Sequence, residues 1–342
     1  MKPLVSILIP AYNAEQWLAD TLISALAQTW ENKEIIVIDD GSKDATLSIA
    51  RGFEDYGVKV FTQQNQGAAA TRNNCYARSR GAYIQWLDAD DLIGSEKIAR
   101  QMRALGDTPD SKVLLSGEWA HFMYRPGRAK FVPSSLWADL SKAEWLIRKM
   151  SQNVFMQTAS WLVSRTLTDA AGPWDTRLLG DDDGEYFCRV LMASDQVRFV
   201  PGAKVYYRRP RTSSLSYIGT SDRKREAQWL SMKMHINYLR SLDDSARARE
   251  ACVTFLRNWV AIFYPDRMDL FGAAERLAAE LGGRLEPPRY SWKYAWINTL
   301  FGSKMARRAQ QSLPQVRLSM ARFYDRALLF LEGGERLAGL GI

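Results

Sequence analysis

The feature that most narrows the fold is an alternation written into the first 90 residues. Short β-branched apolar runs occupy residues 5–9, 34–38, 58–61 and 83–87, and a segment with helical spacing follows each of the first three. Between residues 13 and 29, Trp17, Leu18, Leu22, Ile23, Ala25 and Leu26 recur three and four positions apart. Asp44 can cap a second helix running to about Phe53, and a third fits residues 68–80. Strands joined by right-handed helical crossovers lie parallel, so this region predicts an open, doubly wound α/β sheet. The ligand crevice of such a sheet lies at the carboxyl ends of its strands.

Beyond residue 90 the order loosens. A loop at residues 106–110 precedes strand-like residues 112–116, then helix-like 145–150 and strand-like 159–164 and 197–200, which carries the first unit to about residue 216. From Arg223 the pattern is mostly helical, with breaks expected at Pro265, Gly282-Gly283, Pro287-Pro288 and Pro314. A chain of 342 residues fits two folding units, divided here as 1–216 and 217–342. Hydrophobic residues at 46% and charged residues at 25% indicate a globular chain rather than a disordered or membrane-spanning one.

Of the net charge of +8, residues 217–342 carry +7, from 20 Lys/Arg against 13 Asp/Glu. Such a segment suits an anionic membrane leaflet or a solvated helical surface better than nucleic acid. Cys75, Cys188 and Cys252 are far apart and odd in number, which excludes a disulfide framework and a CxxC zinc site. The apolar start is too short for a secretory core and ends at Pro10, and no run reaches 18 apolar residues. The expectation is a cytoplasmic protein, peripheral at most on the inner face of a membrane.

Two acidic clusters fall where the sheet predicts a ligand. Asp39-Asp40-Gly41-Ser42 follows the second strand, and Asp88-Ala89-Asp90-Asp91 the fourth. Carboxylates this dense need a cation or hydrogen-bond donors. Mg²⁺ and Mn²⁺ prefer oxygen ligands and take one or two carboxylates together with substrate phosphate oxygens. That combination points to a nucleoside diphosphate, with Asp39 or Asp40 accepting the N3–H of a uracil. Turn chemistry alone also explains either cluster, since Asp, Gly and Ser are common turn residues. Their joint occurrence at two strand ends favours a ligand.

Four segments in order, Ser6-Ile7-Leu8-Ile9-Pro10-Ala11-Tyr12-Asn13, Asp39-Asp40-Gly41-Ser42, Gly67 through Arg72-Asn73, and Leu87-Asp88-Ala89-Asp90-Asp91, resemble glycosyltransferase family 2. The resemblance covers roughly residues 4–216. It implies a GT-A fold, that is, a Rossmann-like, mostly parallel doubly wound sheet with a nucleotide-binding half at 1–105 and an acceptor half at 106–216, followed here by the helical C-terminal region. It also implies inverting transfer and a divalent metal. By that likeness Pro10, Ala11, Tyr12 and Asp40 line the nucleoside pocket with Asp39 beside it, Asp88 and Ala89 sit near the ribose, Asp90 ligates the metal with Asp88 in its shell, and Gly67 and Arg72 approach the diphosphate. From the residues themselves, Tyr12 suits base stacking or a buried helix start, Arg72 a phosphate or a surface carboxylate, and Gly67 a close backbone approach or a plain helix start.

Inverting transfer needs a base for the acceptor's proton. His121 and His235 lie in no recognisable motif, which leaves a carboxylate. Gly180-Asp181-Asp182-Asp183-Gly184-Glu185 leads into a segment bearing Arg189, as an acidic pair does in the family. Asp183 matches the pair's catalytic member, and Asp182 stands where glutamate is usual, so both stay open as the base. The simpler reading is a helix N-cap favoured by the helix dipole. The segment Tyr206-Tyr207-Arg208-Arg209-Pro210-Arg211-Thr212-Ser213-Ser214 resembles one that closes over the diphosphate; the usual histidine is missing, Arg208, Arg209 or Arg211 can stand in for it, and a basic loop at a domain edge is the simpler account.

The expected donor is thus a nucleotide-sugar, a UDP-sugar for choice, with Mn²⁺ or Mg²⁺, and the acceptor a saccharide or lipid-linked saccharide. A sugar nucleotidyltransferase would carry an early glycine-rich basic phosphate loop, which residues 10–20 lack. A binding module without catalysis would not need all three acidic clusters. Trp119, Trp137 and Trp145 suit a sugar platform or a core. Trp292, Tyr294, Trp296 and Phe301 beside Lys293, Lys304, Arg307 and Arg308 suit a membrane interface, a helix packed on the body, or an oligomer contact.

Overall fold

The computed structural model describes residues 2–106, 112–209, 218, 221–288, 292–332 and 337. The expected alternation is present: β1 (Val5–Ala11), α1 (Leu18–Leu26), β2 (Lys33–Asp39), α2 (Thr46–Arg51), β3 (Val58–Thr62), α3 (Ala68–Arg78) and β4 (Tyr83–Trp86). Next come β5 (Leu92–Ile93), α4 (Lys97–Leu105), β6 (Val113–Phe122), α5 (Lys142–Gln152), β7 (Val163–Ser164), α6 (Arg165–Ala171), α7 (Asp182–Ala193) and β8 (Gln196–Arg208). Helices α8 (Asp222–Leu242), α9 (Ala246–Trp259), α10 (Met268–Glu280) and α11 (Trp292–Leu331) complete the order.

The main sheet runs β3-β2-β1-β4-β7. Its β1–β2, β2–β3 and β1–β4 pairs are parallel, and only the short edge strand β7 is antiparallel. A second sheet, β5-β8-β6, pairs β6 with β8 in parallel. Strands β1 and β2 are buried on both faces, as their unbroken apolar runs require. Successive residues serve opposite layers: Ile7, Ile9, Ile35 and Val37 face one core, while Leu8, Ile36 and Ile38 face another. That second core continues without interruption through Trp161 and Tyr186 into Met232, Phe255 and Phe271, so α8, α9 and α10 pack into the same apolar body as α5 and α7.

Three sequence expectations change. Residues 159–164 do not form one strand: a 3₁₀ turn, Thr158–Ser160, precedes the two residues of β7. Gln157 drives this by capping the turn through its own side chain, which accepts from the Ala159 N–H. Pro314 does not break the last helix, which departs from helical geometry instead at Gly302 (φ 77°). Glycine reaches that region without a Cβ clash, whereas a proline costs a helix one hydrogen bond and some crowding without always ending it. Finally, Tyr206, Tyr207 and Arg208 belong to β8 rather than to a loop; Pro210 to Ser214 lie outside the described residues.

Candidate active site

The site gathers at the carboxyl ends of β1, β2 and β4, against the start of α7. Asp40 N donates to the Ala11 carbonyl at 2.8 Å, joining the ends of β1 and β2. The two aspartates there have different employment. Asp40 Oδ1 accepts from Gln63 Nε2 (2.8 Å) and Gln66 N (2.9 Å), and its Oδ2 accepts from Gly67 N (2.9 Å). Its carboxylate is therefore spent on folding the loop that leads into α3. Asp39 Oδ2 takes weaker bonds from Ser42 N and Thr62 Oγ1, both at 3.3 Å, while its Oδ1 is buried without a hydrogen-bond donor. An orphaned buried acceptor is costly, and a ligand N–H would satisfy it.

Around these, Pro10 and Ala11 close β1, and the Tyr12 ring is 49% exposed beside the strand end. Asn13 turns the chain there with φ 48°, held by Asn13 N on Ser42 Oγ (2.9 Å) and by Lys43 N on Asn13 Oδ1 (2.8 Å). Gly67 sits at φ 88° with open space where a Cβ would be, so backbone conformation rather than crowding calls for glycine. Ala89 is buried, and its carbonyl accepts from Thr21 Oγ1 at 3.0 Å.

Arg72 is the hub. From α3 it reaches Asp88 Oδ1 with Nη2 at 2.8 Å and Asp182 Oδ2 with Nη1 at 2.6 Å, its guanidinium lying 4.5 Å from the centre of the Trp174 ring. One buried cation thus ties the turn after β4 to the N-terminus of α7, residues 110 positions apart in the Arg72–Asp182 pair. Burial alone would weaken Arg72's hold on its proton, and Asp88 and Asp182 reverse this, so it stays charged.

Within Asp88-Ala89-Asp90-Asp91 the carboxylates divide. Asp91 is fully buried and accepts from Gln157 Nε2 (2.5 Å) and Arg208 N (2.8 Å), a structural role. Asp88 is paired with Arg72. No side chain among the described residues donates to Asp90, whose carboxyl is pushed up to about 6 by burial and then by the Asp88 charge. A bare carboxylate beside a like charge, both hard oxygen donors, fits a divalent cation. Among the described residues, no group of three or more His, Cys, Asp or Glu side chains could hold a metal, so oxygens of the diphosphate would have to complete the shell.

The start of α7 divides in the same way. Asp181 accepts from Ser231 Oγ at 2.5 Å, Asp182 is paired with Arg72, and Glu185 is clamped by Arg189 (2.8 and 2.9 Å) and Tyr238 (2.7 Å). Asp183 makes no ion pair among the described residues: Thr158 Oγ1 donates to it at 3.2 Å and Gly184 N at 2.8 Å. Burial, then Asp182 and Asp181, raise its carboxyl to about 6. Asp181 occupies the N-cap position, but its side chain makes no capping bond. A Cβ at position 184 would fall 2.2 Å from Asp181 Oδ1, so a side chain there would displace the Asp181 carboxylate.

One basic residue leaves the list of diphosphate contacts. Arg208 is buried, with Nε on the Asp90 carbonyl (2.7 Å), Nη1 on the Met123 carbonyl (2.6 Å), and its guanidinium between the rings of Trp17 (3.9 Å) and Phe122 (4.3 Å). It braces the acidic turn from behind. The aromatic platform is also redrawn. Trp145 is buried against Trp161 and Trp137 stacks on Phe199, whereas Trp119 packs with Phe155, His121 and Tyr207. This cluster borders the acidic site, since Asp91, Asp183, Asp88 and Asp90 all add to the effect of burial in holding the Tyr207 phenol protonated. Trp174, Thr158, Gln157 and Ser231 support the site yet carry no local sequence signal; each acts through a partner at least 25 residues away.

Residues 6–128 match the family described as Glycosyl transferase family 2. The chain is similar to an uncharacterized glycosyltransferase of Haemophilus influenzae, 37% identical over 136 residues, or 39% of this chain and 54% of that one. It is also similar to the putative teichuronic acid biosynthesis glycosyltransferase TuaG of Bacillus subtilis, 38% identical over 104 residues, 30% of this chain and 41% of the relative. The chain spans about half, or less, of the length of the curated relatives it matches. Among solved structures it resembles S. aureus TarS residues 1–349 in complex with UDP-GlcNAc, with a TM-score of 0.65 at 18% identity over 82% of this chain and 81% of that one. The shared architecture is the GT-A fold that the sequence resemblance implies, followed by a helical C-terminal region.

Proposed function

We propose that the chain, whose residues 6–128 match the Glycosyl transferase family 2 model, is an inverting, metal-dependent glycosyltransferase. The donor is a nucleoside-diphosphate sugar, a UDP-sugar for choice, and the acceptor a saccharide or lipid-linked saccharide. The observation that carries this reading is the Arg72 bridge between Asp88 and Asp182, which leaves Asp183 and Asp90, among the described residues, with no direct ion pair and with carboxyls raised to about 6.

In this mechanism Asp39 Oδ1 accepts the uracil N3–H, and Tyr12 lies against the base. Asp90 and Asp88 would hold Mn²⁺ or Mg²⁺, which when bound offsets the charge that develops on the departing diphosphate. Arg72 keeps the acidic turn and α7 at a fixed separation and adds positive charge near the phosphates. Asp183 takes the proton of the acceptor hydroxyl as its oxygen attacks the anomeric carbon. The bond to the diphosphate oxygen breaks, its electron pair leaves with the nucleotide, and attack from the opposite face inverts the centre. Tyr207, whose phenol feels the Asp183 charge, packs with Phe155 and Trp119, and these rings are proposed to line the acceptor side.

The TuaG relative, by its description, supports a cell-envelope saccharide as the acceptor class. No helix among the described residues is long and apolar enough to cross a membrane, which agrees with a peripheral mode of work on a lipid-linked acceptor. Residues 1–216 form the proposed catalytic unit, with 217–342 as the helical region behind and beside it. The test is a panel of UDP-sugars with Mn²⁺, read by free UDP and then by mass spectrometry of products. Transfer supports the reading; binding without turnover in the presence of acceptors identifies a non-catalytic module, and pyrophosphate formed from UTP and a sugar phosphate identifies a nucleotidyltransferase.

A further inference from the structure

The last four turns of α11 have two opposite faces of different chemistry. One face is docked. Arg322 Nη2 donates to the Arg209 carbonyl at 2.8 Å, Asp325 accepts from Tyr124 N (2.9 Å) and Arg125 Nε (2.8 Å), Leu329 is buried, and Glu332 accepts from Arg125 Nη1 (2.9 Å). At 100° per residue these positions share one side of the helix. Met320, Phe323, Tyr324, Phe330 and Leu331 fall on the other side, and they are between 66% and 83% exposed. Arg317 and Arg326, both exposed, lie along the two edges of that stripe. A large apolar patch left in water marks an interaction surface.

Charge selects the occupant. Over Trp292–Leu331 the sequence has seven Lys/Arg and a single acidic residue, Asp325, which is turned inward onto Arg125. Two copies pairing through this stripe would oppose arginine edges in either orientation, with no outward carboxylate to offset them. An anionic lipid surface accepts both features: rings and aliphatic chains enter the headgroup boundary, and flanking arginines reach phosphates. Before the Gly302 turn, Trp296, Leu300 and Phe301 are exposed as well.

We propose that the outer face of α11 seats the protein on an anionic bilayer. The docked face joins that surface to the site, because Arg209 follows Arg208, which holds the Asp90 carbonyl, and Tyr124 and Arg125 follow Met123, whose carbonyl Arg208 also holds. A membrane contact there puts the acceptor side beside the lipid that would present a lipid-linked acceptor; this last step rests on the transferase reading above.

The test uses the full chain and sedimentation with vesicles of phosphatidylcholine alone or with 30% phosphatidylglycerol added, roughly the anionic fraction at which polybasic surfaces bind. The wild type should pellet with the mixed vesicles and much less with the neutral ones, and Phe323→Glu/Phe330→Glu should bind the mixed vesicles at least about 10-fold more weakly. Both substituted side chains are exposed, and UDP release from a UDP-sugar in the absence of vesicles should be unchanged in the variant. Equal binding by wild type and variant, or to both vesicle types, overturns the proposal. So does a wild-type dimer in light scattering that the variant converts to monomer, which would make the stripe a self-association surface. Vesicle binding that persists in a protein with no nucleotide-sugar turnover would reject the transferase reading and leave the membrane contact standing.

Discussion

The two acidic clusters, residues 88–91 after β4 and residues 181–185 at the start of α7, solve the same electrostatic problem in the same way. In each, all carboxylates but one are tied down: Asp91 by Gln157 and the Arg208 N–H, Asp88 by Arg72, and on the other side Asp181 by Ser231, Asp182 by Arg72, Glu185 by Arg189. In each, one carboxylate, Asp90 or Asp183, has no direct ion pair among the described residues, and both are pushed up to about 6. The clusters differ in the company of that residue. Asp90 sits beside Asp88, whose partner Arg72 is shared, a pairing suited to a metal; Asp183 accepts from Thr158, a setting suited to a proton acceptor. Dense carboxylates are thus mostly scaffold, and the spare one in each group is the proposed reagent.

The strongest way to break the comparison is to remove what the two clusters share. Arg72→Met leaves Asp88 and Asp182 without their cation; breaking a buried pair this way should cost about 3–5 kcal/mol, read by urea unfolding, and should abolish turnover. Asp90→Asn should weaken Mn²⁺-dependent UDP binding by about 10- to 100-fold in calorimetry while leaving UDP binding without metal unchanged. Asp91→Ala acts on the scaffold instead: it orphans two buried donors and should lower stability by about 1–3 kcal/mol, whereas Asp90→Ala should leave the unfolding midpoint almost unmoved. The gentlest probe is pH. A base whose carboxyl is raised to about 6 is protonated and idle below that value, so kcat/KM should fall about tenfold per unit as pH drops below 6 and level off above it.

The donor half was largely legible because its signals are local. Apolar runs buried on both faces of β1 and β2 announce parallel strands, and residues directly after strand ends inherit their position from the sheet, as Tyr12, Asp39 and Asp88 do. What was hidden depends on distant partners. Asp39 and Asp40 are neighbours of one residue type, and only the fold of residues 63–67 decides that Asp40 is consumed while Asp39 keeps an open oxygen. Arg208 has the composition of a phosphate ligand, yet Trp17 and Phe122 enclose it. Trp174 lies under Arg72 although about 100 residues separate them, a contact set by how α3 meets the segment before α7. Pro314 misled because a proline's cost to a helix is finite.

The central claim is that the spare carboxylate at α7, and not its paired neighbour, is the base. It is tested most directly by turnover of a UDP-sugar at saturating donor and Mn²⁺ by Asp183→Asn and Asp182→Asn, with UDP affinity measured for both. Asp183→Asn should lose about 10²- to 10⁴-fold in kcat with UDP affinity intact, and Asp182→Asn should lose less. An Asp183→Asn protein that turns over at the wild-type rate, while Asp182→Asn is inactive, would contradict the claim.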